Sequence, residues 1–538
     1  MTVAMPAFGV VGPERSELQL PDGVVLVADV WRPESPGQFP VLLMRQPYGR
    51  TIASTVVFAH PAWYAAHGYV VVIQDVRGCG DSGGTFAALI NEAADGAASL
   101  DWAAGLPFSN GHIGLYGFSY QGVTQYLALA GGGRRPDAMA PAMAPWSTRN
   151  NWAFEGNAFR FASNVGWAVQ MAWLRASRDG DHEMASQLRN DISAERLAEM
   201  LSERPDFSHL SAWREDAPDY WSQISPDQLL ANDPLDIPVM HLGGWYDYML
   251  GGTLAADAAF RAARPDTSHL VIGPWTHIPW NRSAGNSDMG PAAEYSVDRA
   301  QLRFFDFYLK GIGERPGTVE LFDVGKRHWV HFDRKPEVPA VPFYLRSSGL
   351  AATLLTDGGL TPEPPLRGID RLVHDPSNPT PLVGGHLGTP QGLVDRARID
   401  DRADVAVYTT PIFGSEVLVC GKVVLHLNCE ASFPRFDIGA TLSLVSPDGV
   451  ALVLRTAFTR CTSSGPRLLA ICLQDVLVTV PAGSSLRLSL QGGGSPAFEV
   501  ARAEVPSGQP RPILITIRHG GSEPSWLELP MRVEPVAS

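Results

Sequence analysis

The sequence GLYGFSYQG, residues Gly114 to Gly122, decides the fold of this chain of 538 residues. The apolar run from His112 to Tyr116 predicts a short buried strand, and the periodic segment from Thr124 to Ala130 predicts the helix that follows. One serine stands between them among glycines, as a tight strand-to-helix turn requires, because the backbone at its apex has little room. Such a turn would lift the hydroxyl of Ser119 toward the helix N-terminus, where free N–H groups can stabilise an oxyanion.

The glycine pattern around this serine leaves two interpretations open. The usual nucleophile motif is G-x-S-x-G, but here Gln121 occupies the position of the second glycine and Gly122 comes one residue later. A serine before a helix is also a common N-cap residue. The pattern alone therefore fits a catalytic nucleophile and an ordinary helix cap equally well.

Strand and helix patterns alternate along the first 145 residues. Continuous apolar runs from Val41 to Met44, from Tyr69 to Gln74 and from Met139 to Met143 are typical of strands that are buried on both faces. The segment from Asn91 to Ala104 has a helical pattern. This alternation predicts a parallel sheet covered by helices on both sides.

The pattern is interrupted and then resumes. Residues 147–233 carry aromatic residues and alanines at helical spacing, which predicts a helical insertion that caps the active site. Strands then return at Ile237 to Leu242 and at Ser268 to Ile272, and each is followed closely by a polar residue, Asp247 or His277. Functional groups gather at the carboxyl ends of the strands in an open parallel sheet, so both residues are candidates for the site.

The C-terminal part of the chain has an all-β pattern, which is typical of a jelly-roll β-sandwich. The predicted strands are Phe343 to Arg346, Val405 to Tyr408, Glu416 to Asn428, Thr441 to Val445, Val450 to Thr456, Val476 to Val480, Ser485 to Leu490 and Ile513 to His519. We therefore divide the chain into an α/β domain in two parts, a helical cap and a jelly roll. Their predicted bounds are residues 1–146 and 234–335 for the α/β domain, 147–233 for the cap and 336–538 for the jelly roll.

Composition excludes several classes of partner. The formal net charge of −14 argues against nucleic acid and against acidic membranes. No apolar run has the ~18 residues that a membrane span requires, and the N-terminus lacks the pattern of a secretory signal. The five cysteines include no C-x-x-C pair, so we expect reduced, buried thiols rather than a disulfide framework or a zinc site. The cytoplasm is then the expected location.

The three candidate residues fit one chemistry when taken together. Acyl transfer by a serine needs a base to accept the hydroxyl proton and a carboxylate to orient that base. Ser119, Asp247 and His277 occur in the chain order of the α/β-hydrolase triad. Each has a plainer alternative, since the chain has 14 histidines and an aspartate often only shapes a loop. The order and the placement after strands favour the triad.

Motifs along the whole chain resemble one family, which includes cocaine esterase, X-prolyl dipeptidyl peptidases, α-amino acid ester hydrolases and glutaryl-cephalosporin acylases. In this family the elbow serine is followed by tyrosine and, three residues after the serine, by glycine, as in this chain. The matching stretches are RQPYGR (45–50), QDVRGCGDSGG (74–84), NEAADG (91–96), GFSYQG (117–122), DYWSQISP (219–226), GGWYD (243–247), GPWTH (273–277), HDPSNPTPLVGG (374–385) and DDR (400–402).

The resemblance implies an α/β-hydrolase fold with an inserted helical cap and a C-terminal jelly roll. It also implies roles outside the triad. Tyr48 matches the tyrosine whose phenol donates to the oxyanion, and the backbone N–H of Tyr120 is the second donor. Packing behind Pro47 is the alternative role for Tyr48. Trp152 and Trp167 match in spacing two tryptophans of the acyl pocket of the cocaine esterases.

The residues after Asp247 differ among the relatives. The α-amino acid ester hydrolases have acidic residues there that bind the substrate ammonium, whereas this chain has Tyr248, Met249 and Leu250. We expect Met249 to contact the substrate together with the two tryptophans, and we do not expect an α-amino acyl group to bind.

We therefore predict a serine hydrolase that cleaves carboxylic esters through an acyl-enzyme and prefers uncharged apolar or aromatic acyl groups. No metal or organic cofactor is expected. The expected partner is a small-molecule ester or amide, and the chain could form a homodimer. An amide or peptide hydrolase and an acyltransferase would use the same triad and stay open as alternatives. A non-catalytic protein that binds carbohydrate through the jelly roll is the alternative from another class.

Overall fold

The computed structural model describes residues 7–51, 55, 57–191, 193–205, 207–502 and 510–533. Among these residues, no helix combines the length and the apolar character that a bilayer crossing requires. All five cysteines are unpaired. Four are buried as expected, but Cys472 is exposed, because it lies on the outward-facing side of a strand whose residues alternate between core and solvent.

Ten strands of the described chain form the first sheet. They are β1 (Val10–Gln19), β2 (Val25–Pro33), β3 (Phe39–Gln46), β4 (Val70–Asp75), β5 (Ser109–Phe118), β6 (Ala138–Ala142), β7 (Val239–Gly244), β8 (Ser268–Gly273), β9 (Val319–Asp323) and β10 (His328–Phe332). Their order across the sheet is β1-β2-β4-β3-β5-β6-β7-β8-β9-β10. The strands from β4 to β9 are parallel, and antiparallel strands close both edges.

The α-helices lie on both faces of this sheet, in the segment between β6 and β7, and in the C-terminal part of the chain. Within the described residues they are α1 (Pro61–Ala66), α2 (Glu92–Ala104), α3 (Tyr120–Ala130), α4 (Phe161–Asp179), α5 (His182–Asn190), α6 (Ala194–Ser202), α7 (Leu210–Glu215), α8 (Pro218–Ser222), α9 (Pro226–Leu229), α10 (Leu250–Ala263), α11 (Val297–Lys310) and α12 (Ala397–Asp400). Helices α1 and α11 pack on one face, and α2, α3 and α10 pack on the other.

Strand β3 explains why the parallel strands have continuous apolar runs. Val41 and Leu43 belong to the core under α2, α3 and α10, whereas Leu42 and Met44 belong to the core under α1 and α11. All four side chains are buried, because successive residues of a strand point to opposite faces and both faces are covered. This confirms the α/β fold predicted from the sequence.

Helices α4 to α9 fill the chain between β6 and β7, as the predicted cap requires. A π-helix at Arg149–Ala153 and a small hairpin of Phe154–Glu155 with Ala158–Phe159 precede them, and neither was expected from the sequence. The tryptophans of the cap pack in one core that also contains Tyr120 and Val123 of α3. The cap is therefore anchored directly on the helix that follows the candidate nucleophile.

The described residues from 340 onward form a domain of β-strands, as predicted, together with the short helix α12. Its strands in the described chain are β11 (Ala340–Arg346), β12 (Gly359–Thr361), β13 (Gly368–His374), β14 (Val405–Thr409), β15 (Val417–Ala431), β16 (Phe436–Val445), β17 (Ala451–Cys461), β18 (Arg467–Val480), β19 (Ser485–Gln491), β20 (Ile513–His519) and β21 (Trp526–Val533). Their order is β13-β20-β15-β21-β11-β12-β14-β19-β16-β17, with β18 paired to β15.

The C-terminal domain packs against the loop that carries Asp247. Trp245 and Tyr246 belong to the same hydrophobic core as the strands of that domain. Both side chains are almost fully buried there. The domain therefore supports one arm of the candidate site, whereas the exact domain bounds stay a prediction of the sequence.

The glycine that departs from the usual elbow motif can be tested directly. A Cβ atom at Gly122 would lie 2.8 Å from the Cβ atom of Ala144, so the helix would have to shift. We expect Gly122→Ala to lower the free energy of unfolding by about 1–3 kcal/mol, as overpacking does, and to lower kcat. Thermal unfolding and ester turnover measure the two effects.

Gly166 provides the matched control, because it lies inside helix α4 and a Cβ atom there would have no neighbouring atom within 4 Å. Gly166→Ala should leave stability unchanged or raise it by about 1 kcal/mol, since alanine favours helix more than glycine does. Equal effects of the two substitutions would contradict the close packing at Gly122.

Candidate active site

Ser119 lies between β5 and α3 with φ 59° and ψ −118°, a backbone conformation that costs an L-residue about 1–3 kcal/mol. Its N–H donates to the carbonyl oxygen of Ala142 at 2.9 Å, and its own carbonyl accepts from the amides of Gly122 and Val123. These bonds hold the strained turn in place. The side chain is consequently fixed at the carboxyl edge of the parallel sheet.

Ser119, His277 and Asp247 form a continuous hydrogen-bonded chain. His277 Nε2 lies 3.0 Å from Ser119 Oγ, and Nδ1 lies 2.7 Å from Asp247 Oδ1. An ionised carboxylate only accepts, so Nδ1 carries the proton and Nε2 is free to accept one from the serine hydroxyl. Asp247 follows β7 and His277 follows β8, and the Asp247 side chain is fully buried. The structure brings the three predicted residues together.

Two aromatic rings fix the imidazole of His277. The ring of Phe118 lies 4.8 Å from it and the ring of Tyr248 lies 4.4 Å from it, measured between centroids. Neither residue was given this role from the sequence. Their positions next to Ser119 and Asp247 in the chain are the signal that could have indicated it, since neighbours of triad residues end at the same edge of the sheet.

Tyr48 lies on a loop after β3 that is tied down by buried polar residues. Its amide donates to Gln46 Oε1 at 2.8 Å, and the guanidinium of Arg50 bonds Asp75 Oδ2 at 2.8 Å. Its phenol oxygen accepts from Trp167 Nε1 at 3.2 Å. Burial raises the pKa of Tyr48 to about 12, so the phenol keeps its proton at neutral pH. The hydroxyl can therefore act as a neutral donor.

Tyr120 is the first residue of α3, and the first amides of a helix have no carbonyl partner within the helix. Its phenol donates to Glu92 Oε1 at 2.9 Å and accepts from the amide of Leu89 at 3.1 Å. Glu92 in turn pairs with Arg45 at 2.7 Å, and both side chains are buried. Burial raises the pKa of Glu92, while the positive charge of Arg45 opposes that shift.

Arg45 and Glu92 both lie within the family motifs, but the sequence assigned them no role. A charged residue directly after the apolar run of β3 was the available signal, because such a residue must find a partner once it is buried. The pair secures the side chain of Tyr120, and with it the start of the helix behind Ser119.

A cavity of about 30 Å³ adjoins Ser119. Among the predicted residues, Tyr48, Tyr120, Trp152, Trp167 and Met249 line it together with the serine. Its remaining lining residues are Leu89, Val123, Pro145 and Tyr248. Within the described chain, no carboxylate lines this cavity. Leu250, by contrast, begins α10 and is part of the hydrophobic core.

Two buried arginines connect the loop of Asp247 to other parts of the molecule. Arg160 of the cap donates to the carbonyl oxygen of Tyr248 at 2.8 Å. Arg455 of β17 donates to the carbonyl oxygen of Trp245, and burial lowers its pKa to about 10, which leaves it charged at neutral pH. In the described residues, no group of three or more metal-binding side chains is arranged to hold a metal ion.

A serine that bonds a histidine, with a buried acid behind it, at the carboxyl edge of a parallel sheet defines a serine hydrolase of the α/β-hydrolase fold. Residues 22–279 match the X-Pro dipeptidyl-peptidase (S15) family, and residues 310–528 match the C-terminal non-catalytic domain of X-Pro dipeptidyl-peptidase. The chain is 32% identical over 467 residues to the cocaine esterase of Rhodococcus sp. (strain MB1 Bresler), covering 80% of each chain. It belongs to the cocaine esterase family.

Solved structures share the fold over nearly the whole chain. An α-amino acid ester hydrolase aligns with a TM-score of 0.77 at 21% identity, covering 99% of this chain and 98% of that one. An aminopeptidase from a marine-sediment archaeon of the Thaumarchaeota aligns with the same TM-score of 0.77 at 20% identity, covering 99% of this chain and 98% of its own. Likeness at this identity shows the common fold.

The anchoring of Tyr120 can be tested without removing its backbone amide. Tyr120→Phe leaves the buried amide of Leu89 without its acceptor and takes a donor from Glu92. We expect the free energy of unfolding to fall by about 1–3 kcal/mol, the usual cost of an unsatisfied buried polar group. Chemical denaturation measures this change, and stability equal to that of the wild type would contradict the anchoring role.

Proposed function

We propose that this protein cleaves carboxylic esters through an acyl-enzyme formed on Ser119. The observation that carries the proposal is the bond from Ser119 Oγ to His277 Nε2, with Asp247 behind the ring and an apolar cavity beside the serine. The relationship to a cocaine esterase supports ester cleavage as the reaction.

In the first half of the reaction, Ser119 Oγ attacks the ester carbonyl carbon and its proton passes to His277 Nε2. The carbonyl oxygen takes up the electron pair and becomes an oxyanion. The carboxylate of Asp247 stabilises the imidazolium that forms and keeps it oriented. When the tetrahedral intermediate collapses, His277 gives the proton to the leaving alkoxide, and the acyl group stays on the serine.

In the second half, water replaces the alcohol. His277 accepts a proton from the water as it attacks the acyl carbon, and a second tetrahedral intermediate forms. The same histidine then returns the proton to Ser119 Oγ, which releases the carboxylic acid. Each attack on the carbonyl carbon and each collapse of a tetrahedral intermediate is thus accompanied by one proton transfer through Nε2.

The oxyanion requires donors that face the developing charge. We propose the phenol of Tyr48 and the backbone N–H of Tyr120 for this role, because both residues line the cavity beside Ser119. Trp167 donates to the Tyr48 oxygen and leaves the phenol proton available for the oxyanion.

The lining of the cavity suits an acyl group that is uncharged and apolar or aromatic. Trp152, Trp167 and Met249 offer apolar surface, and burial of such surface stabilises by about 25 cal/mol per Å². An ammonium group would lose its hydration there without gaining a carboxylate among the described lining residues, which costs several kcal/mol.

Cleavage of amides or peptides is the second candidate, because the matched families are named for dipeptidyl peptidases and one solved relative is an aminopeptidase. The same triad would serve that reaction, and transfer of the acyl group to an alcohol or amine would differ only in the acceptor. The lack of a carboxylate in the described cavity lining favours esters with uncharged acyl groups over substrates with a free N-terminus.

Loss of the nucleophile tests the proposal most simply. Ser119→Ala removes only one oxygen, so the fold should stay intact while turnover of p-nitrophenyl butyrate falls at least ~10³-fold. Circular dichroism and thermal unfolding control for the fold. A purified variant that keeps more than about one per cent of the activity would contradict the assignment.

Removal of the phenol hydroxyl tests the oxyanion donor. Tyr48→Phe should lower kcat by about 10²- to 10³-fold with little change in KM, since the bond strengthens only in the transition state. Because the pKa of Tyr48 is raised, the wild-type phenol stays protonated as pH rises, so its ionisation should not reduce kcat below about pH 10. A variant with wild-type kcat would assign Tyr48 to packing.

Matched esters test the acyl preference. With one leaving group, and at a pH where the amine is protonated, we expect kcat/KM for a phenylacetyl ester to exceed that for the phenylglycyl ester by about tenfold or more. The two acyl groups differ only by the α-ammonium group. A preference for the phenylglycyl ester would mean that an acidic residue faces the bound acyl group, and the apolar interpretation would be wrong.

A further inference from the structure

A second cavity of about 230 Å³ lies behind the wall of the cavity at Ser119. We call it the side chamber. Tyr48 and Trp167 line both cavities and separate them. The chamber interior is formed chiefly by apolar side chains, among them Phe86, Met171 and Ala172.

The two volumes decide what each cavity can hold. An engineered apolar cavity of about 150 Å³ binds benzene. The cavity at Ser119, at about 30 Å³, is far smaller than that, whereas the side chamber, at about 230 Å³, has room for a ring or a short aliphatic chain. An acyl group larger than a few atoms therefore needs space beyond the cavity at the serine.

The position of the leaving group assigns the chamber to the acyl side. His277 protonates the leaving oxygen, so the alcohol part of an ester lies on the histidine side of the serine. A separate open pocket of about 560 Å³ lies there and includes Thr276 and Ile278, the two neighbours of His277. The acyl part then points away from His277, toward Trp167.

Trp167 forms a large part of the wall, since it lines both cavities. Its Nε1–H bonds the Tyr48 oxygen at 3.2 Å, and its ring stacks between Tyr120 at 5.9 Å and Trp213 at 5.4 Å. Displacement of this one side chain would break these contacts and open the wall between the two cavities. Tyr48 would keep its place, because Gln46 binds its amide.

The cationic groups at the edge of the chamber already have partners. Arg178 donates to the carbonyl oxygens of Gly78 and Ser82. Arg175 lies 3.6 Å from the carboxylate of Asp179. The surface that the chamber offers to a ligand is thus mainly apolar, which selects an uncharged occupant.

We propose that the side chamber receives the distal part of an uncharged acyl group, an aliphatic chain or a ring, when Trp167 turns out of the wall. This inference rests on the proposed esterase function and names its substrate class: esters whose acyl group is too large for the cavity at Ser119 alone. The preference for larger acyl groups then depends partly on residues of the far side of the chamber, such as Met171 and Ala172, which do not line the cavity at Ser119.

Filling the chamber from its far side tests this. Ala172 lines the chamber and not the cavity at Ser119, so Ala172→Leu should obstruct only the chamber. We expect wild-type kcat/KM to be about tenfold or more higher for p-nitrophenyl octanoate than for the acetate. Ala172→Leu should lower the octanoate value by about tenfold and change the acetate value less than about twofold.

Two further variants complete the comparison. Ser177→Leu places the same side chain on the exposed part of α4 and should leave kcat/KM unchanged for both esters. Met171→Ala enlarges the chamber and should raise the ratio of decanoate to octanoate turnover, which keeps the test valid if Ala172→Leu fails to fold. Equal changes for short and long esters, or no change for either, would overturn the proposal.

A binding measurement separates this proposal from the esterase function itself. Octanamide, a neutral amide, should quench tryptophan fluorescence in a saturable manner in the Ser119→Ala variant. The dissociation constant for octanamide measured from this quenching should rise about tenfold when Ala172→Leu is added. If no ester is turned over but the amide binds in this way, the esterase function fails and the chamber assignment stands. If esters are turned over and Ala172→Leu leaves amide binding unchanged, the chamber assignment fails.

Discussion

The strained backbone at Ser119 is the constraint on which the rest of the structure depends. Its positive φ of 59° is unfavourable for an L-residue, and the surrounding packing must hold it. Gly117 and Gly122 make room for the turn, because a Cβ atom at either position would lie within 2.9 Å of a neighbour. The buried pair of Arg45 and Glu92 holds Tyr120 at the start of the helix. The strained conformation at Ser119 is unfavourable in free energy, but it places the Ser119 hydroxyl at the edge of the sheet.

All three parts of the chain contribute to the surroundings of that hydroxyl. The parallel sheet supplies Ser119, Asp247 and His277 from the ends of its strands, and the cap supplies the apolar wall through Trp152 and Trp167. The C-terminal domain contributes none of these three residues, but its Arg455 bonds the carbonyl of Trp245, two residues before Asp247. A buried charge that bonds the chain so close to the acid ties the position of Asp247 to the packing of a distant domain.

The sequence was sufficient to predict the α/β fold, the all-β C-terminal domain and the residues that meet at Ser119. The strand patterns, their order along the chain and the polar residues that follow them can all be read from short stretches of sequence. Strand β21 was missed because Pro530 interrupts its pattern, and β12 because it has only three residues. The hydrogen bond between Tyr48 and Trp167 could not be foreseen, since it joins residues 119 positions apart and depends on how the cap docks. The boundary between the cavity at Ser119 and the side chamber follows from that docking, because Tyr48 and Trp167 line both.

The most direct test of the proposed mechanism is to trap the acyl-enzyme. Rapid acid quenching during turnover of p-nitrophenyl phenylacetate, followed by peptide mass spectrometry, measures whether and where the acyl group is attached. We expect a phenylacetyl adduct on Ser119 that appears with the initial burst of p-nitrophenol and is absent from Ser119→Ala. Sustained turnover with the adduct on another residue, or with an unmodified Ser119 throughout the burst, would contradict the mechanism.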